Sequence, residues 1–97
     1  MTVIFHPSVQ RDVSAVLAYY DAVAGPELGN AFFDEFMARV HSASQDPPKF
    51  HLVKGERRRA NFRRFPYHLL FRCINGTVRI LVVRHNSRHP MLGLKRN

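Results

Sequence analysis

Only one cysteine occurs in the 97 residues, so no disulfide can form within the chain. Cys73 lies inside an apolar run and reads as a buried packing residue of a protein kept in a reducing compartment. No apolar stretch approaches the roughly 20 residues that span a bilayer, so no membrane partner is expected. Met1–Phe5 leads straight into His6-Pro7 and charged positions, without the pattern of a secretory leader. A cytoplasmic protein is the expectation. There is no internal repeat, no low-complexity tract and no linker, and the length suits a single domain over residues 1–97. The most informative absence is of negative charge. After Glu56 there is no carboxylate at all.

What is present is therefore strongly divided. Residues 1–46 carry Arg11 and Arg39 against six carboxylates, a net of −4. Residues 47–97 carry thirteen Lys and Arg against Glu56 alone, a net of +12, and the two halves make up the +8 of the whole. A folded surface built from the second half cannot be neutralised by its own side chains. It calls for an anionic partner, a nucleic acid or an acidic protein segment. Hydrophobic residues at 45%, eight of them Phe, suffice for a small core.

Thr2–Phe5 reads as an opening strand ended by His6-Pro7, and Pro7 suits the first turn of a helix. Val9, Val13, Val16, Leu17 and Tyr20 then form one helical face. Gly25-Pro26 ends that helix and begins a second, on which Leu28, Phe32, Phe36 and Val40 repeat every four residues beside Phe33. Asp46-Pro47-Pro48 closes it, leaving a helical hairpin with acidic outer faces. The period changes afterwards. Tyr67–Ile74 and Thr77–His85 are rich in β-branched and aromatic residues, and Asn75-Gly76 between them is the strongest short-range hairpin signal. Arg57–Asn61 predicts a strand before the hairpin, with Phe62–Pro66 as the turn. The expected architecture is α+β, in the order β-α-α-β-β-β, a helical hairpin packed on one face of a small antiparallel sheet.

A two-residue turn at Asn75-Gly76 sets the register. It pairs Cys73 with Val78, Phe71 with Ile80, Leu69 with Val82 and Tyr67 with Arg84 on an apolar side that must face the helices. The other side pairs Arg72 with Arg79, Leu70 with Leu81 and His68 with Val83, with His85 near the exit. Directly opposed like charges destabilise a sheet. Arg72 and Arg79 therefore either bind an anion, splay into solvent, or reach back to Glu56 or a helix carboxylate.

The chain resembles the RelE/ParE superfamily of bacterial toxins, closer to the ParE-like, plasmid-stabilisation branch. The resemblance rests on Phe5-His6-Pro7, Tyr19-Tyr20, Arg57-Arg58, and Phe65-Pro66-Tyr67 leading to Phe71-Arg72. It continues in Val78–Val83 followed by His85-Asn86-Ser87-Arg88-His89-Pro90, and it covers nearly the whole chain. It implies the toxin of a type II toxin–antitoxin pair, with a cognate antitoxin, acidic or amphipathic, as partner. ParE-like members act by binding DNA gyrase, and this is the mechanism expected here. RelE-like members are ribosome-dependent mRNA endonucleases, the alternative. An inactive or regulatory member that binds antitoxin and DNA is a third reading.

RNA cleavage without a metal needs a base, groups for the developing phosphorane charge and a proton for the leaving oxygen. His suits the first and last tasks near neutral pH, and Arg the second. His68, Arg72, His85 and Arg88 are the catalytic candidates if the RelE-like reading holds. The pattern departs from that branch, because His68 follows Phe-Pro-Tyr where the nucleases often carry Arg, and no Tyr follows Tyr67. Tyr67 itself reads as a packed aromatic. His6, His41 and His51 belong to no constellation. Arg57, Arg58, Arg59, Arg63 and Arg64, interleaved with Phe62 and Phe65, are candidates for binding the target or a nucleic acid, together with Arg79, Arg84 and His89. No metal or cofactor is expected. The basic half offers only Glu56 as a hard ligand, and His85 and His89 lack a clear third partner.

Overall fold

Ser8 N–H donates to the His6 ring at 3.1 Å, which turns the chain out of its first strand and into its first helix. The structure, a computed structural model that describes residues 1–88 and 93–97, opens with strand β1 (Thr2–Phe5) and helix α1 (Val9–Ala24). Pro7 lies in the turn just ahead of α1 rather than in its first turn. Val9, Val13 and Val16 are buried along one side of α1. Gly25, at φ 81°, ends the helix in a conformation that a side chain would resist, and Pro26 opens α2 (Pro26–Gln45). Phe32, Phe36, Val40 and Ala43 form its buried stripe, and Asp46 with the short 3-10 turn Pro47–Lys49 closes it.

Four strands follow: β2 (His51–Lys54), β3 (Arg57–Asn61), β4 (Tyr67–Ile74) and β5 (Thr77–His85). The sheet order is β1-β5-β4-β3-β2. β1 runs parallel to β5, and the other pairs are antiparallel. The α+β architecture and helical hairpin are those expected, with one more strand. β2 is a short His-Leu-Val-Lys run with an exposed residue at every position and so no buried face to imprint a period on the sequence. It exists because Gly55, at φ 60°, lets the chain turn back onto β3.

The helices cover one face. Phe32 is fully buried there, with the rings of Tyr20, Phe62, Phe65 and Tyr67 between 5.2 and 6.0 Å from its own. Leu69, Phe71, Val78, Ile80 and Val83 supply the sheet side of this core. Cys73 only packs against its margin and is half-buried, short of the full burial expected.

The hairpin register departs from expectation at one point. Asn75 and Gly76 both take positive φ, and pairing runs as expected through Phe71–Ile80. There a β-bulge inserts Leu81, and the partners become Leu70–Val82, Leu69–Val83, His68–Arg84 and Tyr67–His85. The pairings of Leu70 with Leu81, Leu69 with Val82, His68 with Val83 and Tyr67 with Arg84 are thereby displaced. The bulge has a visible cause: Leu81 and Val82 are both buried on the side away from the helices. Gly93 packs on Val82 so closely that a Cβ would lie 2.9 Å from it. Beyond Ile80, β1 has ended, and Leu81 O accepts from Arg96 instead (3.1 Å) while Val83 N–H donates to Asp12 (3.1 Å).

Replacing Phe32 by Ala should cost about 3–5 kcal/mol, read as a lower urea midpoint with an unchanged slope. A loss below about 1 kcal/mol would show that the four surrounding rings close the gap.

Candidate functional site

The outer face of the sheet carries three ladder rows across β3, β4 and β5. Arg57, Arg72 and Arg79 form the first. Arg59, Leu70 and Val82 form the second, and Asn61, His68 and Arg84 the third. The one-residue shift at Leu81 is what brings Arg84 onto this face beside His68 and sends His85 to the other side beside Tyr67.

His68 is 2% exposed, and both of its ring nitrogens are engaged. Arg84 Nε lies 2.8 Å from Nε2. A guanidinium only donates, so Nε2 accepts, and the ring proton sits on Nδ1, 2.8 Å from Asn86 Oδ1. Burial is the main force holding the ring neutral, against the Asn86 hydrogen bond, and the charges of Arg59, Arg84 and His85 add to it, pushing its pKa down to about 4. Burial likewise depresses Arg84 from its usual value, with Arg59 adding to the effect. Arg59 donates to Asn61 at 2.6 Å and to Asn86 at 3.4 Å. The third row is thus a set of ordered hydrogen bonds among neutral and cationic groups.

His85 stacks edge-on to Tyr67, ring centroids 5.0 Å apart. Its Nδ1 accepts from Ser87 N–H at 3.0 Å. With Tyr19, Arg11, Arg84 and Arg88 these two rings line a groove of about 460 Å³ between α1 and β5. Burial raises the Tyr67 phenol, with help from Tyr19 and against Arg88, so it holds its proton more tightly than a free tyrosine.

The arginine run of residues 57–64 does not act as one surface. Arg57 and Arg59 lie on the outer face, whereas Arg58 points to the helix side and donates to Phe50 O at 2.8 Å. Arg63 and Arg64 sit in the β3–β4 loop, anchored through their backbone N–H groups by the Glu35 carboxylate, which leaves both side chains exposed on the surface. Arg72 meets Glu56 at 3.0 Å, one of the outcomes open to it from the sequence, and Arg79 meets the backbone oxygen of Asn97 at 2.7 Å. His89 lies outside the described residues. Of the four catalytic candidates, His85 and Arg88 share the groove, His68 is beneath the outer face, and Arg72 stands at the far end of it. Among the described residues no three His, Cys, Asp or Glu side chains converge as a metal would require.

Sequence reasoning missed Asn86, Asp12 and Arg96. Asn86 sits within the His-Asn-Ser-Arg stretch already singled out, so its place beside two candidate histidines was the available signal. The ion pair of Arg96 with Asp12, at 2.6 and 3.2 Å, joins positions 84 residues apart and left no local trace.

The comparisons with known proteins follow the same outline. A family model described as the ParE toxin of the type II toxin–antitoxin system parDE matches residues 3–90. Among solved structures, a chain of the chromosomal ParDE system from P. aeruginosa superposes with a TM-score of 0.78 at 18% identity, covering 88% of this chain and 95% of that one. A chain of the RelBE2 toxin–antitoxin complex from Mycobacterium tuberculosis matches with a TM-score of 0.56 at 25% identity, covering 90% and 92%. No curated protein matches the chain.

The state of His68 has a measurable consequence. Its folded pKa, about 4, lies below the ordinary 6.5, so between these values the unfolded chain binds the extra proton. Stability is full above about pH 6.5 and falls as the pH drops, by about 2 kcal/mol between pH 7 and pH 5 for this group alone. Urea unfolding across that range should show the loss, and His68→Gln should flatten it. An unchanged slope in the variant would mean that His68 is protonated at little cost.

Proposed function

The chain belongs to the ParE toxin family of type II toxin–antitoxin systems, and from that premise we propose that it arrests growth by binding and inhibiting DNA gyrase. The observation that carries this reading is His68. It sits where a sheet-face acid or base would be needed, yet it is buried, neutral and hydrogen-bonded at both nitrogens. A general acid or base must exchange a proton near the working pH. A ring with a pKa of about 4, facing a guanidinium, has no proton to give at neutral pH and no lone pair free to take one. Such a cluster holds a surface in shape. Binding to a macromolecule needs that, and cutting RNA needs more.

The same reading gives the charge division a purpose. Arg59, Arg63 and Arg64 present cations that the described carboxylates do not neutralise, suited to an acidic patch on a partner. A cognate antitoxin of acidic or amphipathic character is the second partner we propose. Phe5 and Phe33, both exposed, line an apolar groove of about 400 Å³ beside α1 with Phe36 at its floor, and a partner with an apolar side could bury the two exposed rings.

The RelE-like alternative, a ribosome-dependent and metal-independent mRNA endonuclease, has one observation in its favour. His85 is accessible, and it stands with Tyr67 and Arg88 in one groove. The two readings separate in a paired assay. The purified chain should inhibit supercoiling by gyrase and leave mRNA on translating ribosomes intact, and His85→Ala should inhibit as the parent does. Ribosome-dependent cutting that His85→Ala abolishes would overturn the gyrase reading. Replacing Arg63 and Arg64 together by Gln should weaken inhibition by about tenfold without shifting the urea midpoint. Full potency in that double variant would remove the loop from the binding surface.

A further inference from the structure

Arg57, Arg72 and Arg79 stand side by side on three adjacent strands, at the hairpin end of the outer face. They lie about 13 Å along the strands from the His68 row, at about 3.3 Å per residue. Nothing in the gyrase reading requires them. Opposed like charges destabilise a sheet unless an anion lies among them. The side-chain carboxylate that reaches the row among the described residues is Glu56, which pairs with Arg72 at 3.0 Å from a side chain 70% exposed.

Oxygens of residues 96 and 97 fill the remaining space. Arg79 Nε donates to the Asn97 backbone oxygen at 2.7 Å. Arg57 Nη2 donates to Arg96 O and to Asn97 Oδ1, both at 3.1 Å, and Arg72 Nη1 reaches the same Oδ1 at 3.5 Å. Even so, the Nε atoms of Arg57 and Arg72 are buried with no acceptor among the described residues. Three guanidiniums therefore converge on one small region with donors to spare. A tetrahedral oxyanion with several acceptor oxygens satisfies donors arriving from three strands, and guanidinium forks match phosphate oxygens. A carboxylate offers two oxygens, and Glu56 already supplies that to Arg72.

We propose that the Arg57–Arg72–Arg79 row is a phosphate-binding site, and that residues 93–97 are a strap that occupies it until a phosphate group displaces them. Two contacts hold the strap down. Arg96 grips Asp12 with both Nη atoms and Leu81 O with one, and Gly93 lies against Val82 with no room for a Cβ. Loosening either contact uncovers the row without touching it. Phosphate binding and strap release are then two sides of one equilibrium.

The test uses the full chain and inorganic phosphate at constant ionic strength, followed by titration calorimetry. Arg72→Gln and Arg79→Gln should each weaken phosphate binding by about tenfold, the loss of one charge-assisted hydrogen bond. Arg63→Gln, which removes the same charge elsewhere, should change it little. Arg96→Ala and Gly93→Ala should instead tighten binding several-fold. This direction is diagnostic, since diffuse electrostatics predicts weaker binding for Arg96→Ala, which loses a positive charge, and no change for Gly93→Ala. Wild-type affinity in both Arg72→Gln and Arg79→Gln would overturn the site. Weaker binding in Arg96→Ala together with no change in Gly93→Ala would overturn the strap. Competition by a short DNA duplex would identify the phosphate as that of a nucleic-acid backbone, and its failure would identify a small phosphate compound. Gyrase inhibition is not the readout, so the two proposals fail separately.

Discussion

One extra residue in one strand organises the outer face of the sheet. Leu81, inserted into β5 opposite no partner on β4, advances every later side chain of the strand by one position. An insertion of this kind reverses the face on which each following residue lies. Arg84 is thereby delivered to the outer face, where it meets His68, and His85 to the inner edge, where it meets Tyr67. Without the bulge, Arg84 would face the aromatic core. It coincides with the end of β1, whose partner positions stop at Ile80, so the freed backbone of β5 is satisfied by Asp12 and Arg96 instead. Buried backbone groups must find partners, and here an ion pair between the first helix and the last described residues supplies them.

The outer face depends on that arrangement. Its middle row is apolar on β4 and β5, where Leu70 and Val82 are buried, and each end row carries at least one arginine. Leu70, Leu81 and Val82 are buried there although the helices lie on the opposite side. Gly93 lies directly against Val82 there, with no room for a Cβ between them. The cations at either end meet different fates. At the His68 end they are tied into a network that fixes one tautomer and removes a titratable group from the neutral range. At the hairpin end they meet, among the described residues, Glu56 and the oxygens of Arg96 and Asn97, and the Nε donors of Arg57 and Arg72 are left over. One fold can host different activities, so the distinction between them lies in such local chemistry.

Much of the architecture could be read from the chain. The four-residue spacing of Leu28, Phe32, Phe36 and Val40, the Gly25-Pro26 boundary and the Asn75-Gly76 turn each act through local sterics or a single buried face. Such signals survive in one dimension because neighbours in sequence carry them. β2 was not legible, because a four-residue strand with no buried position leaves no alternation to read. Of the candidate residues, those on the first half of the hairpin were placed on the correct faces by alternation alone. Those beyond Leu81 were not, because alternation fails at an inserted residue that only a third layer of structure justifies.

The sequence by itself determined the two helices, the hairpin, the family resemblance and the surplus of positive charge in the second half. These follow from periodicity, turn stereochemistry and composition, all of which are properties of nearby residues. Only the tertiary structure decided which positive charges are free to bind and which are already committed. That outcome rests on contacts between distant positions, Asp12 with Arg96 and Asn97 with Arg57 and Arg79, and on a bulge that places Val82 against Gly93, eleven residues further along the chain.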